Sequence, residues 1–419
     1  MKYFPFFLIF LLAGSCTGPA RETAPQVLEP TFDPDSLTEF AARQYAKTLE
    51  TLPDTNRIPR NAHPDGTWNL VKKGSWVSGF YPGVLWHLYA LTGDEQWKTA
   101  GEAALLKLDS VQFFDYDHDI GFRIFNSFGS ALRFTKDSSY VPVIVDAAKT
   151  LKTRYRPVTG VIRSWDWHDQ WQYPVIIDNM MNLELLFWAA RQTGDEEMRK
   201  IAISHAEHTM EHHFRDDYST YHVLDYDTLS GAVREKVTFQ GYADSSMWAR
   251  GQVWAIYGFT MTARETGREN FLKQAKGAAD IFLKRLPEDG VPYWDFDAPG
   301  IPDEPKDASA AAIAASALLE LSQLVDSPKD QIRYRHAAVS MLNALATPKY
   351  LAALPQQGIR NTSNPLPPDP NGFMREDFRE PEFIRQHTTA YLSWIAAEIE
   401  KYDSGRHLHV NSHMLFVTL

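Results

Sequence analysis

The sequence has a single cysteine, Cys16, so an internal disulfide is excluded. It also lacks a basic excess. Its formal charge is −11, which disfavours nucleic acid or another polyanion held by bulk charge, although one or two local Arg residues could still hold a small anion. Long apolar runs are missing too: Phe4 to Leu12 is too short to span a bilayer as a stable helix. Beyond residue 36 no alternation of apolar and polar residues is long enough to argue for a large sheet. What the chain has in quantity is aromatic side chains, 12 Trp, 18 Tyr and 24 Phe. They can fill a large core or line a cleft that stacks on sugar rings, and composition does not separate the two.

Lys2 ahead of the apolar stretch, and Leu12-Ala13-Gly14-Ser15-Cys16 after it, read as a lipoprotein-type signal over residues 1–16 with Cys16 as the lipidated residue. An ordinary secretory signal cleaved near Ala13 to Ser15 is the alternative. Either reading takes the protein out of the cytoplasm. The first predicts a periplasmic or outer-membrane protein attached to the membrane by its lipid anchor only. Residues 17–35, rich in Pro, Thr and Glu, read as a tether, and residues 36–419 as a single domain.

Within that domain almost every segment has helical spacing. Very apolar helices stop at Thr92-Gly93-Asp94, Thr193-Gly194-Asp195 and Thr266-Gly267-Arg268, each followed by a more charged helix, and Gly at these places suits a left-handed C-terminal cap. Arg133 to Asp137 and Leu321 to Asp326 are degenerate versions. A helix apolar nearly all round must be buried, whereas an amphipathic one can sit outside. Repeated apolar–amphipathic pairs predict an all-α protein in which inner and outer helices form a toroid, an (α/α)6 barrel, with an open solenoid as the alternative. In such a ring the N-termini of all inner helices gather on one rim. Trp76 to Phe80, His118 to Phe122, Trp165 to Asp178, Gln240 to Trp248 and Lys306 to Ser309 all fall at those N-termini.

Among these stretches, Asp178 stands where Tyr173-Pro174-Val175-Ile176-Ile177 turns into a helix. It can be a helix cap. Flanked by Ile177, Met180 and Met181, it is also a poorly solvated acid, and desolvation raises a carboxyl toward the range useful to a proton donor. Asp115-Tyr116-Asp117-His118-Asp119-Ile120-Gly121-Phe122 reads as a solvated loop, a calcium ligand set or the source of a second catalytic acid. The following Gly-Phe pins Asp119 at the start of a buried helix and leaves Asp117 expected to face water. Two carboxyls in one carbohydrate-sized cleft are the ordinary machinery of glycoside hydrolysis. Arg250, in the apolar helix that begins near Trp248, needs a partner acid or an anionic ligand. It is read here as recognising a sugar carboxylate between Trp248 and Trp254. His205, His208, His212 and His213 read as a solvated helical face rather than a metal site, and the small residues from Asp307 to Ala317 as a close-packing surface.

Trp76-Val77-Ser78-Gly79-Phe80, His118 to Phe122, Ile176 to Asn182, Ser219-Thr220-Tyr221-His222 and Gln240 to Gly258 together resemble the unsaturated glucuronyl hydrolases of glycoside hydrolase family 88, over about Phe40 to Leu324. The resemblance implies an (α/α)6 barrel and two catalytic aspartates, Asp119 and Asp178, the second as general acid/base. It implies substrate-binding roles for Trp76, His118, Trp165, His222, Gln240, Trp248, Arg250 and Trp254, with Trp167 adjacent to Trp165. Metal and organic cofactors are not required. The implied reaction removes the Δ4,5-unsaturated uronic acid from the non-reducing end of lyase-generated oligosaccharides by hydrating the C4=C5 vinyl ether. In that scheme Asp119 is expected to stay ionised and keep Asp178 protonated. Unsaturated rhamnogalacturonyl hydrolysis on the same fold, and a catalytically impaired sugar-binding lipoprotein, are the alternatives. From about Leu354 the sequence departs from the family pattern: Gln386 to Trp394 stands in place of a tyrosine-rich closing helix, and family contacts from that region are not carried over.

Overall fold

A helix with an apolar circumference finds a place only among other helices, and this requirement arranges the chain. The computed structural model describes residues 28, 30–62, 67–167 and 169–351. Cys16, the signal, most of the tether and the segment from 354 onward lie outside the described residues.

The chain opens with α1 (Pro34–Thr51), capped by Asp33, followed by an antiparallel hairpin of β1 (Ile58–Ala62) and β2 (Trp68–Val71). A 3₁₀ turn at Trp76–Gly79 leads into α2 (Phe80–Thr92), and α3 (Glu95–Leu106) returns alongside it. A π-helix at Gly121–Gly129 runs into α4 (Ser130–Thr135), and α5 (Val141–Lys152) follows. After the short pair β3 (Tyr155–Arg156) and β4 (Val161–Ile162), β5 (Pro174–Ile176) ends at α6 (Asn179–Thr193), which is backed by α7 (Glu196–His212). Strands β6 (Val223–Tyr226) and β7 (Val233–Val237) join β5 in an antiparallel three-stranded sheet. The pairs α8 (Ala249–Thr266) with α9 (Glu269–Arg285), and α10 (Ala308–Leu324) with α11 (Pro328–Leu345), complete the described helices.

The division into inner and outer helices is plain in their burial. Every residue of α6 from Asn179 to Ala190 and of α8 from Ala249 to Ala263 is buried, whereas α7 and α9 bury only one stripe. The inner elements follow one another in space as in sequence: α2 packs on the π-helix, the π-helix on α6, α6 on α8, and α8 on α10. Gly93, Gly194 and Gly267 end α2, α6 and α8 in the left-handed conformation, at φ +68, +73 and +66°. Lys136 does the same for α4 without being Gly, at φ 61°. Close approach of the inner helices depends on residues without side chains. A Cβ on Gly258 of α8 would strike Met180 of α6, and one on Gly121 would strike Asn182.

The histidines of α7 do not form a solvated face. His205 and His213 are fully buried. The His205 Nδ1 accepts the Ile162 N–H at 3.0 Å and the His213 Nε2 donates to the Val175 carbonyl at 3.1 Å, so the two rings brace the outer layer against β4 and β5. The charged spacing of the surrounding helix concealed this, because each ring fills a gap that only the strands reveal.

Burial holds His87, His118, His213 and His222 down to about 3, and His205 well below its ordinary value of 6.5. All five are therefore neutral in the fold and take up protons on unfolding, so the unfolded chain binds more protons than the native one below pH 6.5. The histidine contribution to stability is complete above that pH and is lost as pH falls from about 6.5 toward 3, by up to about 1.4 kcal/mol per pH unit for each ring, with the raised carboxyls of Asp178 and Asp119 offsetting part of the loss. Denaturant titrations at pH 7.5, 6.0 and 5.0 should show unfolding midpoints falling steeply through this window.

Candidate active site

Where β5 ends, Ile177 and Asp178 turn the chain into α6. Asp178 occupies the cap position, yet its side chain accepts no capping hydrogen bond, contrary to the expectation that an acid here serves its own helix. Its carboxyl faces His222, Arg250 and Trp254. Among the described residues Oδ2 has no hydrogen-bond partner, and the His222 Nε2, 3.7 Å away, has none either. Burial raises Asp178 to about 7, against the pull of its own backbone N–H, the Arg250 charge and the Trp254 indole.

Asp119 lies across from it at the start of the π-helix, near enough for its titration to respond to the Asp178 charge. His118 Nε2 stands 3.3 Å from Asp119 Oδ1. Burial raises Asp119 well above the usual carboxylate range. The charges of Asp117 and Asp178 push it further, and Arg123 and Arg154 offset them only in part. The expectation that Asp119 stays ionised and keeps Asp178 protonated is not what the surroundings favour: burial is the leading cause at both carboxyls, and both are shifted toward the protonated form.

The His222 ring is fixed by its neighbours. Nδ1 accepts the backbone N–H groups of Phe239 and Gln240 at 3.0 and 3.1 Å, so the ring proton must sit on Nε2, the atom facing Asp178. The ring packs 4.8 Å from Trp248, and Arg250 lies over Trp248 at 5.6 Å. Trp76 and Trp254 meet edge-on through Phe122, at 5.7 and 5.4 Å. Trp165 pairs by backbone with Asp117 and stacks on Trp167 at 5.1 Å. Trp165 is buried and Trp167 is 50% exposed, so the two rings form the inside and outside of one wall with Phe239. The structure thus brings together Asp119, Asp178, Trp76, His118, Trp165, His222, Gln240, Trp248, Arg250 and Trp254.

Three residues take places the sequence did not suggest. Asp117 does not face water; it is a buried partner of Arg123. Asp307 caps α10 through the Ala310 N–H and also accepts from Arg250 Nε at 3.0 Å, so the small-residue stretch begins with the partner acid of Arg250. Among the described residues this is the one hydrogen bond of the Arg250 guanidinium, whose two terminal NH₂ groups make none. Arg123, fully buried in the π-helix, was legible by the same reasoning that singled out Arg250, since it too is an Arg inside an apolar helical run.

This geometry has relatives. No family model matches the chain. It is 46% identical over 314 residues to an unsaturated glucuronyl hydrolase of Formosa agariphila, covering 74% of this chain and 77% of that one. The chain belongs to the unsaturated glucuronyl hydrolases. Within the family it is also 36% identical to an unsaturated chondroitin disaccharide hydrolase of Streptococcus pyogenes, over 78% of this chain and 86% of that one. The crystal structure of an unsaturated glucuronyl hydrolase specific for heparin superposes with a TM-score of 0.79 at 37% identity, covering 88% of this chain and 98% of that one. The fold class is accordingly the mostly helical α/α barrel, and the protein is a glycosidase.

The buried Arg250–Asp307 pair offers a direct check. Removing one partner of a buried ion pair leaves the other charge uncompensated, at a cost of about 3 kcal/mol or more. Asp307→Ala should therefore lower unfolding stability by about that amount in urea, whereas Asp244→Ala at the exposed rim should change it by less than about 1 kcal/mol.

Proposed function

We propose that this protein removes the Δ4,5-unsaturated uronic acid from the non-reducing end of lyase-generated oligosaccharides, with Asp178 as the acid that starts the reaction. The observation that carries the reading is the Asp178 carboxyl itself. It is buried, raised to about 7, has an oxygen without a partner, and lies beside a fixed imidazole N–H and a guanidinium. Such an acid is half neutral near pH 7 and can give up its proton there. The names of the relatives agree in substrate class and differ in parent polysaccharide, chondroitin in one and heparin in another.

In the proposed sequence Asp178 delivers its proton to C4, and the C4=C5 electron pair forms the new C–H bond. The positive charge left behind is shared by C5 and the ring oxygen. Water adds at C5 and gives its proton to the Asp178 carboxylate, which restores the acid. The resulting hemiketal breaks its bond to the ring oxygen to leave a ketone at C5. C1, now a hemiacetal, then releases the rest of the sugar as an alcohol. Arg250, whose terminal NH₂ groups make no hydrogen bond among the described residues, suits the substrate carboxylate. Asp119, shifted toward its protonated form, can offer a donor as well as acceptor sites to ring hydroxyls. Trp76, Trp248 and Trp254 supply apolar walls, and His118, Gln240, His222 and Trp165 complete the lining.

Turnover is read as loss of the ultraviolet absorbance of the enoate. Asp178→Asn should bind an unsaturated disaccharide with near-parental affinity and lose at least about 10³-fold in kcat; near-normal absorbance loss in that variant would overturn the assignment. Because the neutral form of Asp178 is the reactive one, the rate should decline as pH rises through about 7. A panel of glycosaminoglycan, ulvan and pectin disaccharides assigns the parent polysaccharide, and turnover of the pectin-derived sugar alone would move the protein to the rhamnogalacturonyl class.

The N-terminal pattern supports export with a lipid anchor at Cys16. Labelled palmitate should enter the full chain and be lost in Cys16→Ala.

A further inference from the structure

Asp119 is held by a device that the proposed reaction does not use directly. Asp117 Oδ1 accepts the Asp119 backbone N–H at 2.9 Å. The same carboxylate takes both prongs of the Arg123 guanidinium, Oδ1 from Nη2 at 2.6 Å and Oδ2 from Nη1 at 3.0 Å. Arg123 has no exposed surface. Its Nη1 also donates to the Gly74 carbonyl at 3.0 Å, and its plane lies over the Tyr116 ring at 5.4 Å. The Tyr116 hydroxyl donates to that same carbonyl at 2.8 Å. Gly74 sits two residues before Trp76. One buried guanidinium therefore ties together the loop that carries Asp119, the loop that carries Trp76, and the π-helix from which it projects. The π-helix is itself an unusual choice of backbone, and such segments recur at functional sites.

We propose that Asp117 and Arg123 form a positioning pair that fixes Asp119 against Trp76, so that the second carboxyl of the site depends on a neighbour two residues away that touches no substrate. This inference rests on the functional reading above, in which Asp119 meets the sugar ring. A second pair grips the same loop from the other side: Arg154 holds Asp166 through two hydrogen bonds of 3.0 Å and donates to the Asp115 carbonyl. The two pairs play different parts. Arg154–Asp166 anchors the start of the loop, whereas Arg123–Asp117 acts at Asp119 itself.

Electrostatics agrees with the geometry. The groups facing Asp119 are Asp117, Arg123 and Tyr116 from its own loop and helix, neutral His118 beside it, Asp178 from α6, and Arg154 from the turn after α5. Asp117 favours the protonated form of Asp119, and Arg123 opposes it. Replacing the Asp117 carboxylate with an amide leaves the Arg123 charge unopposed, so Asp119 ionises more readily.

The test uses the full-length protein. Asp117→Asn keeps the shape and an oxygen to accept the Asp119 N–H, but it loses the charge and one prong of the grip. Its kcat/KM on an unsaturated disaccharide should fall by tenfold to about a hundredfold, the scale of a misplacement of about an ångström. The carboxyl ¹³C titration of Asp119, assigned by its absence in Asp119→Asn, should move down by about one pH unit or more. A variant that only loosens the fold would lower the thermal midpoint while leaving the Asp119 titration and the activity per folded molecule unchanged, and that result overturns the proposal. Arg123→Lys keeps the charge without the fork and carries the test if Asp117→Asn does not fold. It should lose at least tenfold in kcat/KM with little change in the titration, and parental activity there overturns the proposal as well. Because the ¹³C titration needs no turnover, it separates failure of the positioning pair from failure of the functional reading: a parent that leaves every unsaturated disaccharide intact overturns the latter alone.

Discussion

Taking carboxyls out of water is the constraint on which the site depends. A lone carboxylate in a helical interior is strongly disfavoured, and a protein can answer by adding a cation, by adding hydrogen-bond donors, or by leaving the proton in place. All three answers occur within this rim. Asp117 and Asp307 receive cations, from Arg123 and Arg250. Asp295 receives donors, the Tyr242 and Asp297 N–H groups and the Ser246 hydroxyl. Asp178 and Asp119 receive too little of either and are shifted toward their protonated forms, Asp178 to about 7. The chemistry follows from which acids the structure leaves uncompensated.

The sequence made the inner and outer helices legible because each apolar helix ends on a left-handed cap at Gly93, Gly194 or Gly267. Periodicity and capping are local signals, and local signals survive in one dimension. Asp178 and Arg250 were also legible, since an acid and a base among apolar residues are anomalies wherever they fold. Partnership was not. Asp307 lies 57 positions from Arg250, and nothing in either neighbourhood indicates the other. Asp117 misled for a related reason: a run of acids around a histidine looks solvated until Arg123, six residues on, is known to reach back. The buried histidines of α7 failed the same way, their partners being strand backbone at Ile162 and Val175.

The short strands, negligible as architecture, matter as wiring. Strand β6 runs into the site from His222, and its neighbours on the two sides do different work. On one side β5 leads to Asp178, with the Ile177 N–H bonded to the His222 carbonyl at 3.1 Å. On the other, the chain leaving β7 offers its Phe239 and Gln240 N–H groups to the His222 ring. The three-stranded sheet therefore sets the spacing between the acid and the imidazole and also decides which imidazole nitrogen carries the proton.

That tautomer restricts what His222 can do. With Nδ1 committed to two backbone donors, the ring cannot accept a proton there without losing both hydrogen bonds, and its burial holds it near 3. Nε2 already carries the one ring proton. A neutral, donor-only imidazole beside Asp178 cannot act as the base that activates water, nor can it donate a full proton to C4 near neutral pH. It can only donate a hydrogen bond, to the substrate or to Asp178 once ionised. Among the groups that line the site, Arg250 is permanently charged, His118 and His222 are neutral donors or acceptors without useful acidity, and Asp119 and Asp178 are both shifted toward the protonated form. Asp178, raised to about 7, can exchange a proton in both directions near neutral pH. In the proposed reaction, which first gives a proton to carbon and then takes one from water, this single carboxyl suits both steps, and the surrounding residues would serve to keep it buried and oriented.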